Sequence, residues 1–114
     1  MSKIIKSAKK SIILIDNYID ESVLAMFSEK AKDVKVILLT KDVKQNLRLG
    51  IEKFNGQYKN MEAKTFNKSH DRFLIIDSKE IYHLGASLKD LGKKWFAFQK
   101  MEDGFSLLEK IENL

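Results

Sequence analysis

His70 and Arg72 stand two residues apart at the head of an apolar run, Phe73 to Ile76, that ends in Asp77. Successive side chains of a strand point to opposite faces, so His70 and Arg72 emerge on the same one. An imidazole beside a guanidinium suits a phosphodiester. The guanidinium offers a planar fork of donors to non-bridging oxygens and stays charged at any relevant pH. The imidazole can attack phosphorus or move a proton. Asp77 has the opposite parity at the strand's end, a place for orienting neighbours rather than touching substrate. Gly85, Ser87 and Lys89 come one hairpin later and can return to the same edge of a sheet, adding a hydroxyl and an ammonium.

Each of these residues also has a plainer use. His70 can cap a strand entrance, and Arg72 can pair with an aspartate such as Asp90. Asp77, followed by Ser78 and Lys79, is a turn former. His83 suits an ordinary cross-strand position, and two histidines without a spaced carboxylate pair make a poor metal site, so neither metal nor other cofactor is expected. Trp95, Phe96 and Phe98 can stack on bases, although such a run fits a core or a dimer interface better. Gly85-x-Ser87 lacks the second glycine of a nucleophile elbow. Lys93-Lys94 lacks the glycine spacing of a phosphate loop.

The elements that must position these groups follow from periodicity. Residues 2–10 place Ile4, Ile5 and Ala8 on one side of a lysine-rich helix. Residues 11–16 and 33–40 are continuous β-branched runs, the pattern of strands covered on both faces. Between them Asp20 is an N-cap for a helix with Val23, Leu24, Phe27 and Ala31 inward. Thr40 is placed to cap a helix carrying Val43, Leu47, Ile51 and Phe54, which Asn55-Gly56 would close with a left-handed C-cap. Residues 61–66, 72–77 and 80–84 read as strands, the last two joined tightly through Ser78-Lys79. Residues 85–94 form a loop or short helix, 95–98 a further strand and 103–113 a last helix burying Phe105, Leu108 and Ile111. Helices alternating with strands, then consecutive strands, predict an α/β domain with a mixed sheet flanked by helices.

Composition bounds the rest. The chain has 114 residues, a net charge of +5, no cysteine and no proline. One domain spanning 1–114 is the expectation. Disulfides and thiolate metal sites are excluded. No apolar run approaches the ~20 residues of a membrane span, and no signal sequence is recognisable, which points to a cytoplasmic protein. Residues 41–100 carry 13 Lys/Arg against 7 Asp/Glu. The basic excess thus falls in the stretch that holds His70 and Arg72. A basic surface attracts nucleic acid, anionic lipid or another polyanion.

His70-x-Arg72-x4-Asp77, with Gly85-Ala86-Ser87 seven residues beyond, resembles the His-x-Lys-x4-Asp and Gly-Ser-x-Asn signature of the phospholipase D superfamily. The lysine-rich first helix, the strand at 11–16, the region of Tyr18 and the strand at 34–39 resemble the start of a phospholipase D-like nuclease domain, so the likeness covers nearly the whole chain. It implies a metal-independent phosphodiesterase in which two such motifs meet, one histidine forming a phosphohistidine and the other acting as the acid. By position, His70 would be nucleophile or acid, Arg72 would hold phosphate where the family has lysine, and Asp77 would be the supporting carboxylate. Ser87 and Lys89 would add phosphate contacts, and Leu88 stands where the family has asparagine. One motif per chain implies a homodimer with the site across its two-fold axis. The His-Asp-Arg order is also similar to phospholipase D-like modules that bind membranes or partners without catalysis. Residues 69–101 resemble the C-terminal part of larger bacterial proteins with an N-terminal phage-type DNA-binding domain, which would make this chain a piece of a longer protein.

Overall fold

Two unbroken apolar runs form the centre of the sheet because each needs cover on both sides. In a computed structural model that describes residues 2–67, 72–84 and 98–101, they are β1 (Ser11–Ile15) and β2 (Lys35–Thr40), paired in parallel. β3 (Met61–Thr65) adds in parallel to β2. β4 (Arg72–Ile76) runs antiparallel on the other flank of β1, followed by β5 (Glu80–Leu84) and β6 (Phe98–Met101), also antiparallel. The six-stranded order is β3-β2-β1-β4-β5-β6, a mixed α/β sheet. The described strand β6 shares only Phe98 with the one expected over 95–98. Residues 85–97 and the helix expected at 103–113 lie outside the described residues.

Alternation along β1 divides the core in two. Ile12 and Leu14, with Val36, Leu38, Leu74 and Ile76, face the side on which three helices pack. These are α1 (Ser2–Ser7), a 3-10 helix (Glu21–Glu29) and α2 (Gln45–Gln57), which deliver Ile5, Phe27, Leu47 and Phe54 to the same cluster. Ile13 and Ile15 face the opposite side with Leu39, Phe66, Phe73, Ile75 and Ile81. Each large side chain so enclosed contributes roughly 1.5–3 kcal/mol, and the two clusters lock the register, since a one-residue slip would exchange the faces.

The helical segments depart from the sequence pattern at their ends. Asp20 does cap its helix, accepting from the Ser22 N–H at 3.0 Å and from the Ser22 hydroxyl. The helix is 3-10 rather than α, and Leu24, Phe27 and Lys30, three residues apart, are all buried, matching its period. Thr40 does not cap α2. It is fully buried at the end of β2, where its hydroxyl accepts from the Ile19 N–H at 3.4 Å and its carbonyl from the Phe66 N–H at 2.8 Å. The N-cap of α2 is Lys44, with no side-chain hydrogen bond. Asn55-Gly56 does not end α2 either. Asn55 exchanges two 2.9 Å bonds with the backbone of Met61, and the left-handed residues are Lys59 and Asn60, past the helix end.

α2 approaches the 3-10 helix through Gly50, where a β-carbon would lie 2.7 Å from Leu24 Cδ1 and 3.2 Å from Glu21 Cβ. Leu24 is buried, so any shift of its side chain must displace packed neighbours. Gly50→Ala is therefore expected to lower the urea midpoint: overpacking costs about 1–3 kcal/mol, against a gain in helix propensity of about 1 kcal/mol. A midpoint above that of the native chain would show that the two helices part freely.

Candidate functional site

In an open sheet, ligands bind outside the carboxyl ends of the strands, at the point where the strand order reverses. Here the chain builds outward from β1 through β2 to β3, then returns to lay β4 against the free side of β1. The reversal therefore falls between β1 and β4. The antiparallel register sets Ile15 opposite Phe73, so the next residues outward, Asp16 and Arg72, face each other across that boundary.

Asp16 is 1% exposed, and its Oδ1 lies 3.6 Å from Arg72 Nε. That separation is an ion pair and too long for a hydrogen bond. Arg72 Nε is buried with no hydrogen-bond partner among the described residues, whereas the side chain as a whole keeps 34% of its surface. The Nε flank of the guanidinium thus rests against a buried carboxylate, while the side chain as a whole remains partly exposed. Asp16 is fixed in turn. Its backbone N–H donates to the Leu39 carbonyl at 3.0 Å, and its Oδ1 accepts from the Tyr18 N–H at 3.0 Å. The latter bond is an Asx turn that takes the chain out of β1. Beside this edge lies a depression lined by Asn17, Tyr18, Asp20, Lys41 and Lys44, with Tyr18 61% exposed.

Asp77 is at the other end of β4, roughly 17 Å along the strand from Arg72 at ~3.3 Å per residue. Its carboxylate accepts from three consecutive backbone N–H groups, Lys9 at 3.0 Å, Lys10 at 2.7 Å and Ser11 at 3.1 Å. Its own N–H donates to the Ser11 carbonyl at 2.8 Å. Asp77 and Ser78 are both left-handed, each with φ of 56°, and the Lys79 N–H closes the turn onto the Ile76 carbonyl at 3.0 Å. This is the primed turn that matches hairpin twist. Burial pushes the Asp77 carboxyl up, but the N–H bonds from Lys10, Ser11 and Lys9, with the Lys10 charge, outweigh it and hold the group below its ordinary value.

Of the residues singled out in the sequence, the structure thus places Arg72 at the strand-order reversal and Asp77 at the opposite edge. His70, Ser87, Lys89 and Asp90 lie outside the described residues. His83 is on β5 with its ring 5.3 Å from that of Phe73, its cross-strand neighbour. The residue that sequence reasoning missed is Asp16. The available signal was a carboxylate ending an otherwise unbroken apolar strand, where a buried charge requires a partner. Among the described residues no three His, Asp or Glu side chains converge as metal ligands, and no helix is long and apolar enough to cross a membrane.

The fold is shared with solved structures at low identity. NucT from Helicobacter pylori superimposes with a TM-score of 0.62 at 14% identity, over 98% of this chain and 80% of that one. TrmBL2, an archaeal chromatin protein with a novel mode of DNA binding, superimposes with a TM-score of 0.58 at 16% identity, over 98% of this chain. This chain spans 44% of TrmBL2. No family model and no curated protein matches the sequence.

Proposed function

We propose that this chain is a phospholipase D-like phosphodiesterase domain that cuts nucleic acid through His70, without metal, at a site shared across a homodimer. The observation that carries the reading is Arg72 at the strand-order reversal, backed by buried Asp16 and partly open to solvent. It supports a phosphate held against the outer flank of the guanidinium. The sequence motif supplies His70 on the same face, and the fold shared with NucT and with DNA-binding TrmBL2 supports nucleic acid as the polyanion. In this mechanism His70 attacks phosphorus in line and the leaving alkoxide takes a proton from the partner's histidine. Water then releases the phosphohistidine. Arg72, with Ser87 and Lys89, neutralises charge developing on the phosphoryl oxygens. Asp77 serves the site through the fold, by pinning the start of β1 to the end of β4.

A second reading rests on Asp16. A buried carboxylate at 3.6 Å cancels part of the Arg72 charge, which suits an anion clamp that binds nucleic acid or anionic lipid without turnover. The deciding experiment incubates the protein with labelled single- and double-stranded DNA and RNA in EDTA, beside His70→Ala. Cutting that persists in EDTA and disappears in His70→Ala is the expected result. Cutting unchanged in His70→Ala would remove the first reading, and retained, salt-sensitive binding without cutting would establish the second.

A further inference from the structure

Five exposed lysines fall at the edge of the sheet opposite Arg72. The amino ends of β1, β2 and β3 and the β4–β5 turn all fall there, because β4 runs against the other three. Lys9 and Lys10 precede β1, Lys32 precedes β2, Lys59 precedes β3 and Lys79 closes the turn, all of them exposed. Like charges brought together on one edge repel, so local structure must hold them. It does. The Asp77 carboxylate clamps the Lys9–Lys10 backbone. The Asn60 side chain donates to the Lys32 carbonyl at 3.5 Å. Buried Lys30 sends its ammonium to the carbonyls of Ala31, Lys32 and Tyr58 at 3.3–3.5 Å, tying the corner before β2 to the corner before β3. Left-handed Lys59 and Asn60 make the tight turn at that corner. Across the edge, backbone bonds run from Val36 to Asn60, Lys35 to Lys10 and Asp77 to Ser11 at 2.8–3.1 Å.

Among the described residues, none of these five lysines is in a salt bridge. The nearby carboxylates make their main contacts elsewhere, Asp77 with backbone N–H groups beside the Lys10 charge, Glu62 with Lys35 at 3.2 Å and Glu80 with the Tyr82 hydroxyl at 2.8 Å. From β3 to β4 the row spans three inter-strand spacings, about 15 Å. That is roughly the axial length of four base-pair steps of a duplex, at about 3.4 Å per step.

We propose that this lysine edge is a second nucleic-acid contact, a docking surface for the phosphate backbone of duplex DNA that is separate from the Arg72 edge. The two edges stand roughly 17 Å apart along the strands, too far for one phosphodiester to touch both. Ammonium groups are point charges without the planar fork that reads a base or a single phosphate, so binding here is independent of sequence and strongly dependent on salt. The surface does not rest on the reading at Arg72: it orients or retains the chain on DNA whether or not the other edge cuts.

The test is fluorescence anisotropy of a labelled 20-base-pair duplex from 50 to 300 mM KCl. It compares the native chain, the triple variant Lys32→Glu/Lys59→Glu/Lys79→Glu, and Arg72→Met held well below its melting temperature. Thermal melts verify the fold, and Lys79→Glu alone, on an exposed turn, serves if the triple variant does not fold. The expected result is a triple variant at least tenfold weaker at 50 mM KCl. Its slope of log Kd against log [KCl] should be smaller by about two to three, about one for Lys79→Glu, while Arg72→Met, which removes the one phosphate contact proposed at the other edge, should lower it by no more than about one. A lysine variant with native affinity and slope would overturn the docking edge and leave the reading at Arg72 standing. So would a variant that loses only its binding to phosphatidylserine vesicles while duplex binding is untouched.

Discussion

Arg72→Met is expected to weaken the fold and the candidate site together, and the two losses separate by experiment. The substitution keeps the apolar stem of Arg72 but removes the charge beside Asp16, which is 1% exposed. Removing one partner of a buried pair costs about 3–5 kcal/mol because the other charge stays desolvated. Since Arg72 keeps 34% of its surface, the low end, about 3 kcal/mol, is expected, a fall in melting temperature of roughly 10 °C. Adding Asp16→Asn removes the carboxylate charge that faced Arg72, so the double variant should recover part of that loss, a coupling that a double-mutant cycle reads directly. Phosphodiester cutting should not recover. The guanidinium is the group proposed to neutralise the phosphoryl oxygens, and losing one such donor costs on the order of a hundredfold or more. Arg72→Lys retains a charge without the fork and should fall between the two on both measures. Melting temperatures unchanged in both Arg72→Met and the double variant would show that the Asp16 contact carries no net interaction.

Asp77→Ala is expected to cost about 2 kcal/mol at neutral pH, the scale of charge-assisted bonds to partly exposed N–H donors. The loss is large because one carboxylate serves three consecutive donors, Lys9, Lys10 and Ser11, at the junction of α1, β1 and β4. The deficit should depend on pH. The folded-state pKa of Asp77 lies below its ordinary value of 3.8. Its stabilisation is therefore complete above that ordinary value and disappears as pH falls through the folded value. Urea midpoints of the native chain and Asp77→Ala should accordingly differ most near pH 7 and converge as pH is taken down below 3.8. A difference constant across that range would mean that the carboxylate's charge contributes nothing. Asp77→Asn tolerates the left-handed backbone and keeps one acceptor, so it should lose about half as much. Below its melting transition Asp77→Ala should bind and cut at the Arg72 edge within a few-fold of native, since it acts on that edge only through the fold.

Much of the architecture is written locally. The β-branched runs ending at Ile15 and Thr40 form the doubly covered strands β1 and β2, because only a buried strand can satisfy side chains on both faces. The run from Arg72 and its hairpin to β5 are equally legible, and strand parity alone sets Arg72 on the side opposite Phe73 and Ile75. Helix ends were less legible. Thr40 has the chemistry of a cap, and Asn55-Gly56 that of a stop. Each is claimed by a tertiary bond instead, with Ile19 and Met61 respectively. A residue's capping chemistry is local, but the group that wins its hydrogen bond is decided by what packs beside it.

Partnership across the sheet was decided by the tertiary structure alone. Asp16 and Arg72 meet, and Asp77 reaches Lys9, Lys10 and Ser11, because β4 pairs antiparallel with β1 in a single register. Periodicity states which face a side chain takes and says nothing of which strand lies alongside. That choice depends on how the two apolar clusters bury together, a property of the assembled core and of no single segment.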